Sequence, residues 1–145
     1  GAAIGDIRER IASANAYLGA AGIVQALQQK ARIVITGRVA DASLTVGPAV
    51  YEFGWAWDDY NSLAAATVAG HLIECGAQAT GGMFSDWDNL SQPIPLAQVG
   101  YPIVEISPDA AVVITKPPQT EGVVTVASVA EQLVYEIGDP AHYLT

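Results

Sequence analysis

The chain has 145 residues, enough for one ordinary domain with a buried core; 51% are hydrophobic and only 14% charged. A formal charge of −9 leaves no basic stripe to displace counterions from phosphates, which excludes nucleic acid and anionic membrane surfaces as expected partners. No apolar run is long enough for a bilayer span, no charged and then apolar leader opens the chain, and the single cysteine, Cys75, excludes an internal disulfide and favours a reducing compartment.

Ile4, Ile7 and Ile11, set among Asp6, Arg8, Glu9 and Arg10, predict a short amphipathic helix within residues 1–16. The pattern YLGAAGIVQALQQ predicts a second helix over 17–29. Gly19 and Gly22 would let another backbone approach it, and Lys30 and Arg32 lie near its C-terminal end, where the helix dipole favours cations. The β-branched run Ile33-Val34-Ile35-Thr36 then predicts a buried strand over 32–36 that stops at Gly37. A short helix is expected over 47–53, with Pro48 in its first turn. The alternation of Tyr51, Phe53, Trp55 and Trp57 also fits a strand; with Tyr60 these aromatics read as a satellite core or an interface.

Asp58, Asp59 and Asn61 are cap candidates for a helix over 62–75 that Gly76 stops. A short strand over 77–80 ends at Gly81-Gly82, and residues 83–100 read as a long ordered loop of the kind that often carries function. Two strands, 101–106 and 111–115, flank the turn Ser107-Pro108-Asp109-Ala110 and predict a hairpin. A capping box from Ser128 to Glu131 starts a helix expected to run to Ile137, with Gly138 and Asp139-Pro140 ending it. This succession predicts a layered α/β or α+β domain over 1–145, with helices packed on a mixed sheet and one β-hairpin.

Three segments put a threonine and then a special residue after an apolar strand: Thr36-Gly37-Arg38, Thr80-Gly81-Gly82 and Thr115-Lys116-Pro117. If those strands are parallel neighbours, Arg38, Lys116, the Gly81 and Gly82 amides, Asp41 and Asp86 surround one crevice at the strand ends, where such folds bind ligands. The set suits an anionic ligand: arginine offers a planar fork, lysine a point charge, and glycine close backbone approach. Arg38 is conspicuous because Lys116 is the only Lys or Arg from Val39 onward. The competing reading makes both cations members of structural ion pairs.

His71 and Cys75 stand one helical turn apart. They read either as a nucleophilic or metal-binding pair or as a buried thiol beside a hydrogen-bonded histidine. Asp41, Asp58, Asp59, Asp86 and Asp88 have no recognised ligand spacing, so no metal site is assigned. Gly19-Ala20-Ala21-Gly22 lacks the spacing of a dinucleotide fingerprint, and neither Ser43 nor Ser85 sits in a nucleophile elbow.

The blocks SANAYLGAAGIVQAL, IVITGRVADASLTVGP, EFGW, LAAATVAGHLIECGAQATGG, FSDW, GYPIVEI, VITKPP and VTVASVAEQLVYEIGDP, with the closing YLT, together resemble the acyclic terpene utilisation (AtuA-type) family. The resemblance covers nearly everything from Ser13 onward. It implies a cytoplasmic protein of acyclic monoterpene or branched acyl-CoA catabolism, a CoA thioester as substrate rather than a resident cofactor, and lyase or hydratase chemistry. It also implies that this chain is part of a longer domain and assembles as a homo-oligomer or with a partner domain. Carried over by position, Asn15, Arg38, Asp41, His71, Asp86 and Lys116 are site candidates. Asp41 and Asp86 are then expected as bases, His71 in proton transfer, and Arg38, Lys116, Asn15, Gly81 and Gly82 in ligand binding. Met83 departs from the polar residue expected after Gly81-Gly82. The rival expectation is a non-catalytic binding or assembly module.

Overall fold

A computed structural model describes residues 4–90, 94–139 and 141. Residues 91–93 of the expected loop, Pro140, His142 and the YLT block lie outside the described residues. The architecture is α+β. Among the described residues the α-helices are α1 (Ile4–Ile7), α2 (Ala21–Gln28), α3 (Ser43–Phe53), α4 (Tyr60–Ile73) and α5 (Val126–Val134), and β1 (Ile103–Ile106) pairs with β2 (Val112–Thr115).

The helix boundaries follow local chemistry. Asp59 caps α4, its carboxylate accepting from the Ser62 amide at 3.3 Å and the Ser62 hydroxyl at 2.7 Å. Those two donors hold Asp59 below the usual carboxylate range. α3 begins four residues before the expected helix, so Pro48 falls in its interior. Pro48 and Leu44, whose carbonyl loses its helical donor, are both on the exposed side. The capping box of α5 also starts earlier than expected. Thr125 accepts from the Ser128 amide at 3.0 Å, while the Ser128 hydroxyl accepts from the Thr125 amide at 3.1 Å. The hairpin is antiparallel with Ile103 opposite Thr115 and Ile106 opposite Val112, and Ala110 takes the left-handed turn position at φ 62°.

Two expected strands are absent. Residues 33–36 form exposed coil, with Ile33 82% and Ile35 91% exposed. A strand needs a neighbour for its backbone groups. The pairing found there is a single parallel bridge between Leu18 and Val39. Residues 77–80 enter a tight π-helical turn, Gln78–Gly82, in which Gly81 has φ 93°. Buried Thr80 holds this turn by accepting from the Val123 amide at 2.9 Å and by placing its hydroxyl 2.7 Å from the Gly100 carbonyl. Thr36, Thr80 and Thr115 therefore share no sheet edge, and the sheet is the hairpin alone among the described residues.

The core lies where α3 packs between α2 and α4: Ala20, Val24, Val46, Ala49, Val50 and Ala66 are buried, with Phe53, Trp55, Leu63 and Ile106 against them. Two glycines set the helix spacings. A Cβ on Gly47 would lie 2.7 Å from Ile23 Cγ2, and one on Gly70 would lie 2.8 Å from the Ala42 Cα. The hairpin rests on α4, and Trp55 Nε1 donates to the Pro108 carbonyl at 3.0 Å. α5 packs on α4 and on the π-helical turn, where the Ser128 hydroxyl donates to the Ala79 carbonyl at 3.0 Å. No helix among the described residues is long and apolar enough to cross a membrane.

Candidate functional site

The close approach of Gly70 to Ala42 brings their chain neighbours, His71 in the last turn of α4 and Asp41 just before α3, to one place. Both line a cleft of about 210 Å³ together with Tyr17, Thr67, Glu74, Leu133 at the C-terminal end of α5 and Glu136 just beyond it. Asp41 is exposed and His71 half-buried.

His71 is fixed from behind. Gln132, fully buried on α5, donates its Nε2 to the His71 carbonyl at 2.8 Å. Among the described residues the His71 Nε2 is buried without a hydrogen-bond partner, as is the Oε1 of Gln132. Buried polar atoms are almost always paired. The unpaired imidazole nitrogen thus marks His71, a residue lining the cleft, as one whose hydrogen bonding is incomplete.

Arg38 is hydrogen-bonded to Tyr17, one of the residues that line the cleft. Its Nη2 donates to the Tyr17 hydroxyl at 2.6 Å, and its guanidinium carbon lies 4.7 Å from the centroid of the Tyr17 ring. The Tyr17 hydrogen bond is the main reason Arg38 sits above its ordinary pKa, and the Asp41 charge adds a smaller push in the same direction. The carboxylate of Asp41 and the imidazole of His71 thus belong to one cleft, and a cation is bonded to Tyr17 on its wall.

The remaining candidates lie on other surfaces. Lys116 Nζ donates to the Thr120 carbonyl at 2.6 Å and closes the turn after β2, so it does not meet Arg38 across the cleft. Gly81 and Gly82 line a separate apolar hollow with Met83, Phe84 and Trp87. The adjoining chain is pinned to α5 by Glu131, whose carboxylate accepts from the Ser85 amide at 3.1 Å and the Ser85 hydroxyl at 2.7 Å. Asp86 accepts from the Asn89 amide on the exposed face of that segment. Asn15 stands in exposed coil.

The Cys75 thiol donates to Glu74 Oε1 at 2.7 Å rather than pairing with His71. Burial, followed by its contact with Glu74, pushes the thiol up to about 11, which keeps it protonated at neutral pH. No group of three or more His, Cys, Asp or Glu that would hold a metal ion occurs among the described residues.

Sequence reasoning missed Tyr17, Glu74, Glu136 and Gln132. Thr67, His71 and Glu74 recur at helical spacing, a signal that would have placed Glu74 on the His71 face. Nothing local marks Gln132, because its role depends on α5 docking against α4.

No curated protein and no solved structure matches the chain. A family model described as acyclic terpene utilisation family protein AtuA matches residues 1–145, the whole chain, and the chain belongs to that family.

Proposed function

We propose that the chain serves acyclic terpene utilisation by binding an anionic terpenoid acid or branched acyl thioester in the cleft between the segment preceding α3, α4 and the end of α5. The observation that carries this reading is that His71, whose buried Nε2 has no partner among the described residues, lines one cleft with Asp41 and with Tyr17, to which Arg38 is bonded. The family description, acyclic terpene utilisation, supports a ligand of terpenoid origin. Arg38 holds the anionic group of the ligand, with Tyr17 setting the plane of its guanidinium.

Asp41 and His71 form a base and acid pair suited to hydration next to a thioester. Asp41 takes a proton from water as the water oxygen bonds to the β-carbon of an unsaturated acyl group. His71 gives a proton to the α-carbon, and proton return from Asp41 to His71 resets the pair. The same two groups, run in reverse, remove water. Lys116, Asn15, Asp86, Gly81 and Gly82 have no part in this step, because they neither line the cleft nor, as Arg38 does with Tyr17, bond to a residue that lines it.

A second reading, an assembly module working in the cytoplasm as a homo-oligomer or with a partner domain, is favoured by the exposed Ile33 and Ile35. Ligand-dependent melting with a panel of acyl-CoAs and acyclic terpenoid acids separates the two. The cleft reading expects stabilisation that weakens in Arg38→Ala and His71→Gln. Stabilisation that survives both substitutions removes the site assignment, and no stabilisation with concentration-dependent association favours assembly.

A further inference from the structure

The cleft containing Asp41 and His71 continues into a larger groove of about 850 Å³, and the two share Tyr17, Ala40, Ala42, Thr67 and Val68 in their walls. One stripe of α4 runs the length of both. Tyr60, Ala64, Thr67, Val68 and His71 follow each other at helical spacing along it. Val46 of α3 lies on the groove wall, and Trp57 and Tyr60, 50% and 75% exposed, stand at the end away from His71. The one hydroxyl on this stripe between Tyr60 and His71, that of Thr67, donates to the Leu63 carbonyl at 2.9 Å, so it offers the groove no free donor.

From Tyr60 to His71 the helix advances about 16 Å. A carbon–carbon bond is about 1.5 Å long and advances a zigzag chain by somewhat less, so the stripe matches an extended chain of roughly a dozen carbons or slightly more. A flexible aliphatic chain fits a long apolar trough that opens at one end onto polar groups. A flat or polar ligand would leave most of that trough unused.

We propose that the groove seats the aliphatic tail of an acyl ligand whose polar end lies at Asp41 and His71, and that Trp57 and Tyr60 set the longest tail accepted. The placement of the polar end rests on the reading in the preceding subsection; the tail groove is a separate claim and fails separately.

Titration calorimetry with straight-chain carboxylates from hexanoate to hexadecanoate tests it on the wild type, Ala64→Phe, Tyr60→Ala and Arg38→Ala. Ala64 and Tyr60 are exposed, so both groove variants keep the core, and their melting temperatures check this. Affinity is expected to rise up to about fourfold per added methylene and to level off near dodecanoate. Ala64→Phe brings the plateau to shorter chains, and Tyr60→Ala moves it to longer ones. Affinity that does not change with chain length, or a plateau that neither groove variant moves, overturns the proposal. A chain-length slope that persists while Arg38→Ala has no effect at any length supports the groove and removes the assigned polar end. A uniform loss in Arg38→Ala with the slope intact supports both.

Discussion

Replacing Gly70 by alanine tests the contact that brings Asp41 and His71 together. The new Cβ would sit 2.8 Å from the Ala42 Cα, 2.9 Å from its carbonyl oxygen and 3.1 Å from its Cβ. Two of those three atoms are backbone, so no flexible side chain can swing away. Restoring ordinary contact at 3.4 Å or beyond moves the start of α3 from α4 by more than half an ångström. Overpacking of this kind costs about 1–3 kcal/mol, and the better helix propensity of alanine returns about 0.8–1 kcal/mol. A net loss of up to about 2 kcal/mol is expected, which lowers the melting temperature by up to about 6 °C in a chain of this size. Because Asp41 precedes Ala42 and His71 follows Gly70, the same shift separates the two cleft groups and weakens ligand binding. Urea unfolding gives the stability change and calorimetry the affinity. Gly22, in the first turn of α2, where an added Cβ would meet nothing within 4 Å, is the control, and Gly22→Ala should be neutral or stabilise by up to about 0.5 kcal/mol. A Gly70→Ala protein as stable as the wild type, with unchanged affinity, would refute the reasoning.

Gln132→Ala should destabilise by about 2–4 kcal/mol, because it empties a fully buried position and strips the His71 carbonyl of its donor; Gln132→Leu should recover only the part due to the emptied volume in urea unfolding. Asp59→Asn should leave α4 capped near neutral pH but flatten the acid limb of the stability curve. The depressed Asp59 pKa contributes stability above the ordinary carboxylate value and loses it as pH falls through the folded value, so an unaltered acid limb in the variant would count against the cap. Cys75 should react slowly with iodoacetamide at neutral pH and faster as pH approaches about 11, whereas rapid neutral alkylation would contradict the protonated thiol bonded to Glu74.

What could be read in advance depended on how local its cause was. Asp59 and Ser62 are three residues apart, and the hairpin between β1 and β2 closes through its own turn, so cap and hairpin were both visible in the sequence. The strand expected at Ile33-Val34-Ile35 is a matter of neighbours, and the described residues offer none beyond the bridge at Val39. Thr80 followed the same strand-and-threonine pattern, yet Gly81 at φ 93° and contacts to Gly100 and Val123 turn it into a buried bend. Pairing Arg38 with Lys116 required a common sheet edge, and that edge was the long-range inference that failed. Asp41 and His71, thirty residues apart, meet through a glycine contact that no spacing rule reveals.

The most direct test of the site is the ring NMR signal of His71, assigned with His71→Gln, during titration with an acyclic monoterpenoid acid. Saturable movement of that signal, with weaker affinity in Arg38→Ala and Asp41→Asn, is the expected result. Binding of the acid by calorimetry without any change at His71 would contradict the account.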